Sequence, residues 1–160
     1  MFKQTLVSAL FLAATLTGNA ASFTAAPGIP ANPAQVDQLV TLFAGTQVFV
    51  SLNEMFNAED VSIGNSIDFM VRSNVTVNGK VLIAAGATAT GWVKSVKKAC
   101  DGKCAEITIT VESAQAVDGQ TVNLRSVPHT IQAPCCCGTA TANVGTNLRA
   151  FVLNDVKVNA

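Results

Sequence analysis

Five cysteines and a single histidine are the side chains best suited to chemistry in this chain. Cys100-Asp101-Gly102-Lys103-Cys104 places two thiols on either side of an Asp-Gly turn signal. A three-residue hairpin loop there sets Cys100 opposite Cys104 at a separation a disulfide can bridge. So short a loop constrains little of the unfolded chain, and the cross-link stabilises modestly. Cys135-Cys136-Cys137-Gly138 follows Pro134 in a stretch rich in Gly, Thr, Ala and Asn. Three consecutive cysteines cannot all pair with one another, and an odd total leaves at least one thiol free or shared between chains. Tying Cys100 or Cys104 to this cluster is the alternative connectivity. A sharper chemistry is also open, because thiolates of Cys135, Cys136 and Cys137, joined by His129, suit Cu(I) or Zn(II). Against it, standard zinc sites use cysteine pairs two to four residues apart together with a second pair. No Cys-x-x-Cys precedes a helix, so nothing marks a redox thiol. His129 follows Pro128 and reads as a surface histidine between strands. The leading expectation is therefore disulfide chemistry with no cofactor.

Catalytic signatures are absent. The chain has no Gly-x-Ser-x-Gly elbow, no His-Glu-x-x-His and no Gly-rich phosphate loop ahead of a helix. Glu106 and Glu112 fall on the solvent side of a strand, where solubilising charge is the expected role rather than a glycosidase pair. Glu59-Asp60 reads as a solvated turn or a weak cation site. Lys94, Lys97, Lys98 and Lys103 make a small basic cluster, expected to be a solvated face, with anionic lipid headgroups or a partner as alternatives. The chain is not expected to be an enzyme.

Composition sets the class. Ten Lys+Arg balance ten Asp+Glu, only 12% of residues are charged, and 49% are hydrophobic. Disorder requires the opposite balance, and a nucleic-acid partner requires a basic excess that is missing. Lys3 followed by the uncharged apolar run Leu6 to Leu16, then Gly18-Asn19-Ala20, has the pattern of a secretory signal peptide over 1–21. The run is shorter than the roughly 20 residues a bilayer span needs. No later apolar stretch is long enough to be a transmembrane helix, so a periplasmic or secreted protein is expected. The proline-containing stretch 22–33 reads as a linker, and 34–160 as a single β domain.

Within that domain, Val36, Leu39, Val40 and Phe43 share a helical spacing, which predicts a short helix over about 34–43, with an extended strand entering Gly45 as the alternative. From Gly45 onward, segments rich in β-branched residues are punctuated by Gly64-Asn65, Asn78-Gly79, Gly86, Asp101-Gly102 and Asp118-Gly119. Asn-Gly and Asp-Gly supply the positive φ that tight hairpins need. Ile107, Ile109 and Val111 alternate with Thr108, Thr110 and Glu112, describing a strand with one wet face. Seven or eight such strands make an all-β fold, a small antiparallel barrel or sandwich, and a closed barrel removes exposed edges. One internal echo is present: Ala44-Gly45-Thr46 through Asn53-Glu54 resembles Val144-Gly145-Thr146 through Asn154-Asp155. Either these are first and last strands that meet to close a barrel, or the likeness is chance.

The succession Gly45-Thr46, Gly64, Ile67-Asp68-Phe69-Met70-Val71, Val75 to Ile83, Gly86-Ala87, Gly91-Trp92-Val93, Ile107-Thr108-Ile109, Val117 to Val122 and Gly145-Thr146 resembles exported β-domains of bacterial envelopes. More distantly it is similar to the carboxy-terminal β-barrel domain of TrbI-like conjugation channel proteins, where Leu82-Ile83-Ala84-Ala85-Gly86 stands at a characteristic turn without its Pro and Lys. The resemblance implies a barrel and an envelope location. The inner-membrane helix and long proline-rich spacer of the channel component are not found here, so only the barrel carries over. The expected role is a structural or interaction module whose partner is an envelope protein or surface component, with a thiol-dependent metal-binding or redox protein as the alternative.

Overall fold

A computed structural model of the protein describes residues 38–99, 103–134 and 138–160. The expected signal peptide and linker, the start of the expected helix, and Cys100, Cys135, Cys136 and Cys137 lie outside the described residues. The strands are β1 Leu39–Leu42, β2 Gln47–Leu52, β3 Phe56–Asn57, β4 Ser66–Val71, β5 Val75–Val77, β6 Lys80–Ile83 and β7 Thr88–Lys97. They continue as β8 Glu106–Gln115, β9 Thr121–Ser126, β10 His129–Gln132, β11 Thr141–Ala142, β12 Asn147–Val152 and β13 Val156–Asn159.

Six of these strands close an antiparallel barrel in the order β2, β4, β7, β8, β9, β12 and back to β2. The alternation visible in the sequence is the cause. Val48, Val50 and Leu52, then Ile67, Phe69 and Val71, then Ile107, Ile109 and Val111 point inward and are buried. Their neighbours at odd steps point outward, as period-two geometry requires. Interior side chains fill the barrel, so it is a packed core and not a channel.

The expected helix over 34–43 is replaced, where it is described, by β1. Leu39 to Leu42 pair residue for residue with Asn159 to Val156 of β13. Leu39 and Phe43 are exposed and only Leu42 is fully buried. A partner strand more than a hundred residues away satisfies these backbone groups, which a local periodicity cannot register. The Asn78-Gly79 hairpin behaves as its residues dictate: both have positive φ, 52° and 78°, and join β5 to β6.

The internal echo has structural content. Strands β2 and β12 are antiparallel partners with Phe49 opposite Arg149, and they complete the barrel. Around that centre the two copies make matching bonds. Gly45 N–H donates to Val152 O at 2.8 Å, and Gly145 N–H to Leu52 O at 2.9 Å. Leu52 N–H reaches Thr146 O, and Val152 N–H reaches Thr46 O, both at 2.9 Å. The Thr46 and Thr146 hydroxyls each donate at 2.7 Å to the carbonyl three residues back, and both glycines have φ near +80°. The flanking pairs obey the same symmetry: Leu42 opposes Val156 as Ala142 opposes Phe56. The chain thus brings its two similar segments together about a local two-fold axis.

Candidate functional site

Antiparallel ladders close all six sides of the barrel, and β9 shares its length between two of them. Strand β9 pairs with β8 through Thr121 to Asn123, and with β12 through Leu124 to Ser126. Continuing the β9–β12 register would set Val127 beside Arg149 and His129 beside Asn147. Instead Pro128, which has no N–H to give a ladder, follows Val127, and His129 to Gln132 pair with Ile109 to Glu106 on β8. At the point of divergence Ser126 turns its hydroxyl inward and accepts the Val111 N–H at 2.8 Å. This side-chain bond spans the gap on β8 between its pairing with β9 and its pairing with β10.

The departure leaves a seam. Its cavity has a volume of about 370 Å³, with Val127, Pro128 and His129 on one wall and Leu148, Arg149 and Phe151 on the other. Val127 is 74% exposed. Ladder alternation fixes where the β12 backbone points. The even-numbered residues of β12 bond to β2, as the bonds at Thr146 and Val152 show. Leu153 N–H accordingly reaches the other way, to Asn123 O at 2.9 Å. The N–H and C=O of Asn147 and the N–H of Arg149 therefore face the seam, beyond the last β9–β12 pair, Ser126 with Ala150.

Above this edge the outer face carries an uneven distribution of charge. Arg149 opposes Phe49 on β2, and Arg125 opposes Phe151 on β12. Arg72, which begins the loop after β4, donates its backbone N–H to Phe49 O at 2.9 Å. All three arginines of the chain therefore surround two exposed phenylalanines, Phe49 at 42% and Phe151 at 38%. The lysines behave differently. Lys94 pairs with Glu112 at 3.0 Å, Lys97 with Glu106 at 3.2 Å and Lys98 with Glu59 at 3.3 Å. Among the described residues no carboxylate forms an ion pair with an arginine. Three of the four lysines expected as a basic cluster are thus paired with carboxylates, whereas no arginine is so paired among the described residues.

A second groove, of about 390 Å³, lies on the β8–β9 side, with Thr110, Glu112 and Lys94 facing Asn123 and Arg125. Thr110 is buried there, and its hydroxyl has no hydrogen-bond partner. Thr110 is thus the exception to the wet face expected of that strand, since Glu112 is exposed and Glu106 is half-buried.

Of the residues singled out for chemistry, Cys104 is half-buried against the core. Ala133 N–H bonds to Ala105 O at 3.0 Å, so the β8–β10 ladder runs on toward Cys104 and Pro134. His129 is the first residue of β10 rather than a loop residue, and it faces the seam. No group of three or more His, Cys, Asp or Glu side chains is placed to hold a metal among the described residues. Glu59 and Asp60 sit in a turn organised by Asn57, whose side-chain oxygen accepts both their N–H groups at 2.8 and 3.2 Å. No helix among the described residues is long and apolar enough to cross a membrane. Sequence reasoning passed over the three arginines, because their shared face exists only once β2, β4, β9 and β12 are in register. No protein-family model matches the chain, and no curated protein matches it.

Proposed function

We propose that this chain is a non-catalytic exported β-domain of a bacterial envelope, acting as an interaction module that takes a partner at the seam between β10 and β12. The observation that carries this reading is the exposed backbone edge of β12 beside the cavity. Strand edges with unused N–H and C=O groups bind extended peptides by adding a strand, the main chain giving affinity and the alternating side chains specificity. The filled interior supports a role on the outside surface. The likeness to exported envelope barrels and the signal-like start bear on the location, and the module's partner is then an envelope protein or surface component.

The test is site-specific photocrosslinking in a bacterial host, with p-benzoylphenylalanine at Val127 in the full chain and, separately, at Ile63, which is also exposed. The reading expects a processed chain outside the cytoplasm and one adduct of defined mass from Val127 alone. Unprocessed protein confined to the cytoplasm, or indistinguishable labelling from the two positions, overturns it.

A further inference from the structure

We infer that the seam takes an extended peptide segment in which carboxylate side chains alternate with apolar ones. The inference rests on the proposed binding role of the seam and adds the chemistry of the partner. Three observations define it. The first is the backbone: Asn147 presents its N–H and C=O and Arg149 its N–H, two residues apart, a repeat of about 6.8 Å that a polypeptide strand matches. The second is the inward side of the added strand, which would meet the apolar side chains of Leu148 and Pro128. The third is its outward side, which would lie alongside Arg149 in the row that already contains Phe49 and Arg72.

Charge decides the outward residue. A side chain directly opposite Arg149 is its cross-strand neighbour, and opposite charges there attract while like charges repel. Arg149 has no competing ion pair among the described residues, and Arg125 lies one row further along the same face. An acidic partner residue therefore gains a guanidinium without displacing an internal carboxylate, and guanidinium holds carboxylate through paired N–H donors. The same reasoning disfavours a second copy of this chain paired about a two-fold axis at Arg149, which would bring the two Arg149 side chains together.

The experiment uses the full chain and three soluble peptides measured by fluorescence anisotropy at low salt. One is a seven-residue peptide alternating Val with Glu, the second replaces Glu by Lys, and the third is the Glu peptide N-methylated at alternate residues. The expected result is binding of the Glu peptide at least tenfold tighter than the Lys peptide, as the swing from attraction to repulsion in a cross-strand pair implies. Arg149→Glu reverses the preference, and N-methylation abolishes binding. Equal binding of Glu and Lys peptides, with N-methylation still abolishing it, overturns the charge inference and leaves strand addition standing. No binding of any peptide by a folded barrel overturns both. Binding to anionic lipid vesicles in place of the Glu peptide also overturns the inference.

Discussion

Gly91 is the position where the barrel is least able to accept one more atom. It sits on β7 opposite Val111 of β8, beside an irregularity in the register. A Cβ built there would overlap the Thr110 carbonyl oxygen and lie 2.9 Å from Cε2 of Phe69. Neither neighbour can yield cheaply. The oxygen belongs to the backbone of the longest ladder in the molecule, and Phe69 is the largest fully buried side chain. Gly91→Ala must therefore move β7 away from β8. Overpacking of a well-filled core costs about 1–3 kcal/mol, and a weakened buried backbone bond costs about 1–3 kcal/mol more. The lower entropy of unfolded alanine returns roughly 0.4–1 kcal/mol. The expected net loss is about 3 kcal/mol, a large share of the roughly 5–15 kcal/mol that holds a domain folded. Urea unfolding followed by far-UV circular dichroism and by the single tryptophan, Trp92, measures it. With a slope of about 2 kcal/mol/M the midpoint falls by about 1.5 M. A midpoint within about 0.3 M of the parent's would refute the close approach of β7 to β8.

Three further outcomes are expected. Thr110→Val removes a buried hydroxyl that has no partner and should raise stability by about 1 kcal/mol in the same titration, whereas a loss would reveal a bond to that oxygen. Ser126→Ala strips the Val111 N–H of its acceptor; it should cost about 1–3 kcal/mol and speed hydrogen exchange at that amide, and unchanged exchange would count against that side-chain bond. Asp118 titrates below its ordinary range: slight burial opposes its charge, but the N–H groups of Asn159 and Gln120 and the Gln120 side-chain amide outweigh that. Because its folded pKa is depressed, its contribution is complete above the unfolded value of about 3.9 and is lost as pH falls through the lower folded one. The stability difference between the parent and Asp118→Ala should shrink only in that acid range, and a difference unchanged down to pH ~2 would contradict the assignment.

Much of the architecture was legible because strand alternation is a local signal. Ile67, Phe69 and Val71, or Ile107, Ile109 and Val111, declare their faces without reference to any partner. Positions whose state depends on a distant strand were harder. Leu39 to Leu42 carry apolar residues at spacings that suit a helix, and only β13 makes them a strand. Phe56–Asn57 and Thr141–Ala142 are too short to show a period at all, and only their pairing with each other marks them as strands. The seam had one visible mark, Pro128, which interrupts an otherwise continuous strand pattern. Its significance lay in which strand the chain joins next. For the arginines the residue type was visible, but their grouping follows from cross-strand register, which sequence spacing does not contain.

The pairing of β1 with β13 has a mechanical consequence. Gln38 and Ala160 exchange backbone bonds at 3.3 and 3.2 Å, so the chain enters and leaves this body at one point. Tension applied through both ends would peel β1 from β13 pair by pair, like a zipper, instead of shearing all four pairs at once. That outer clasp would open at low force while the six-stranded cylinder behind it stayed whole.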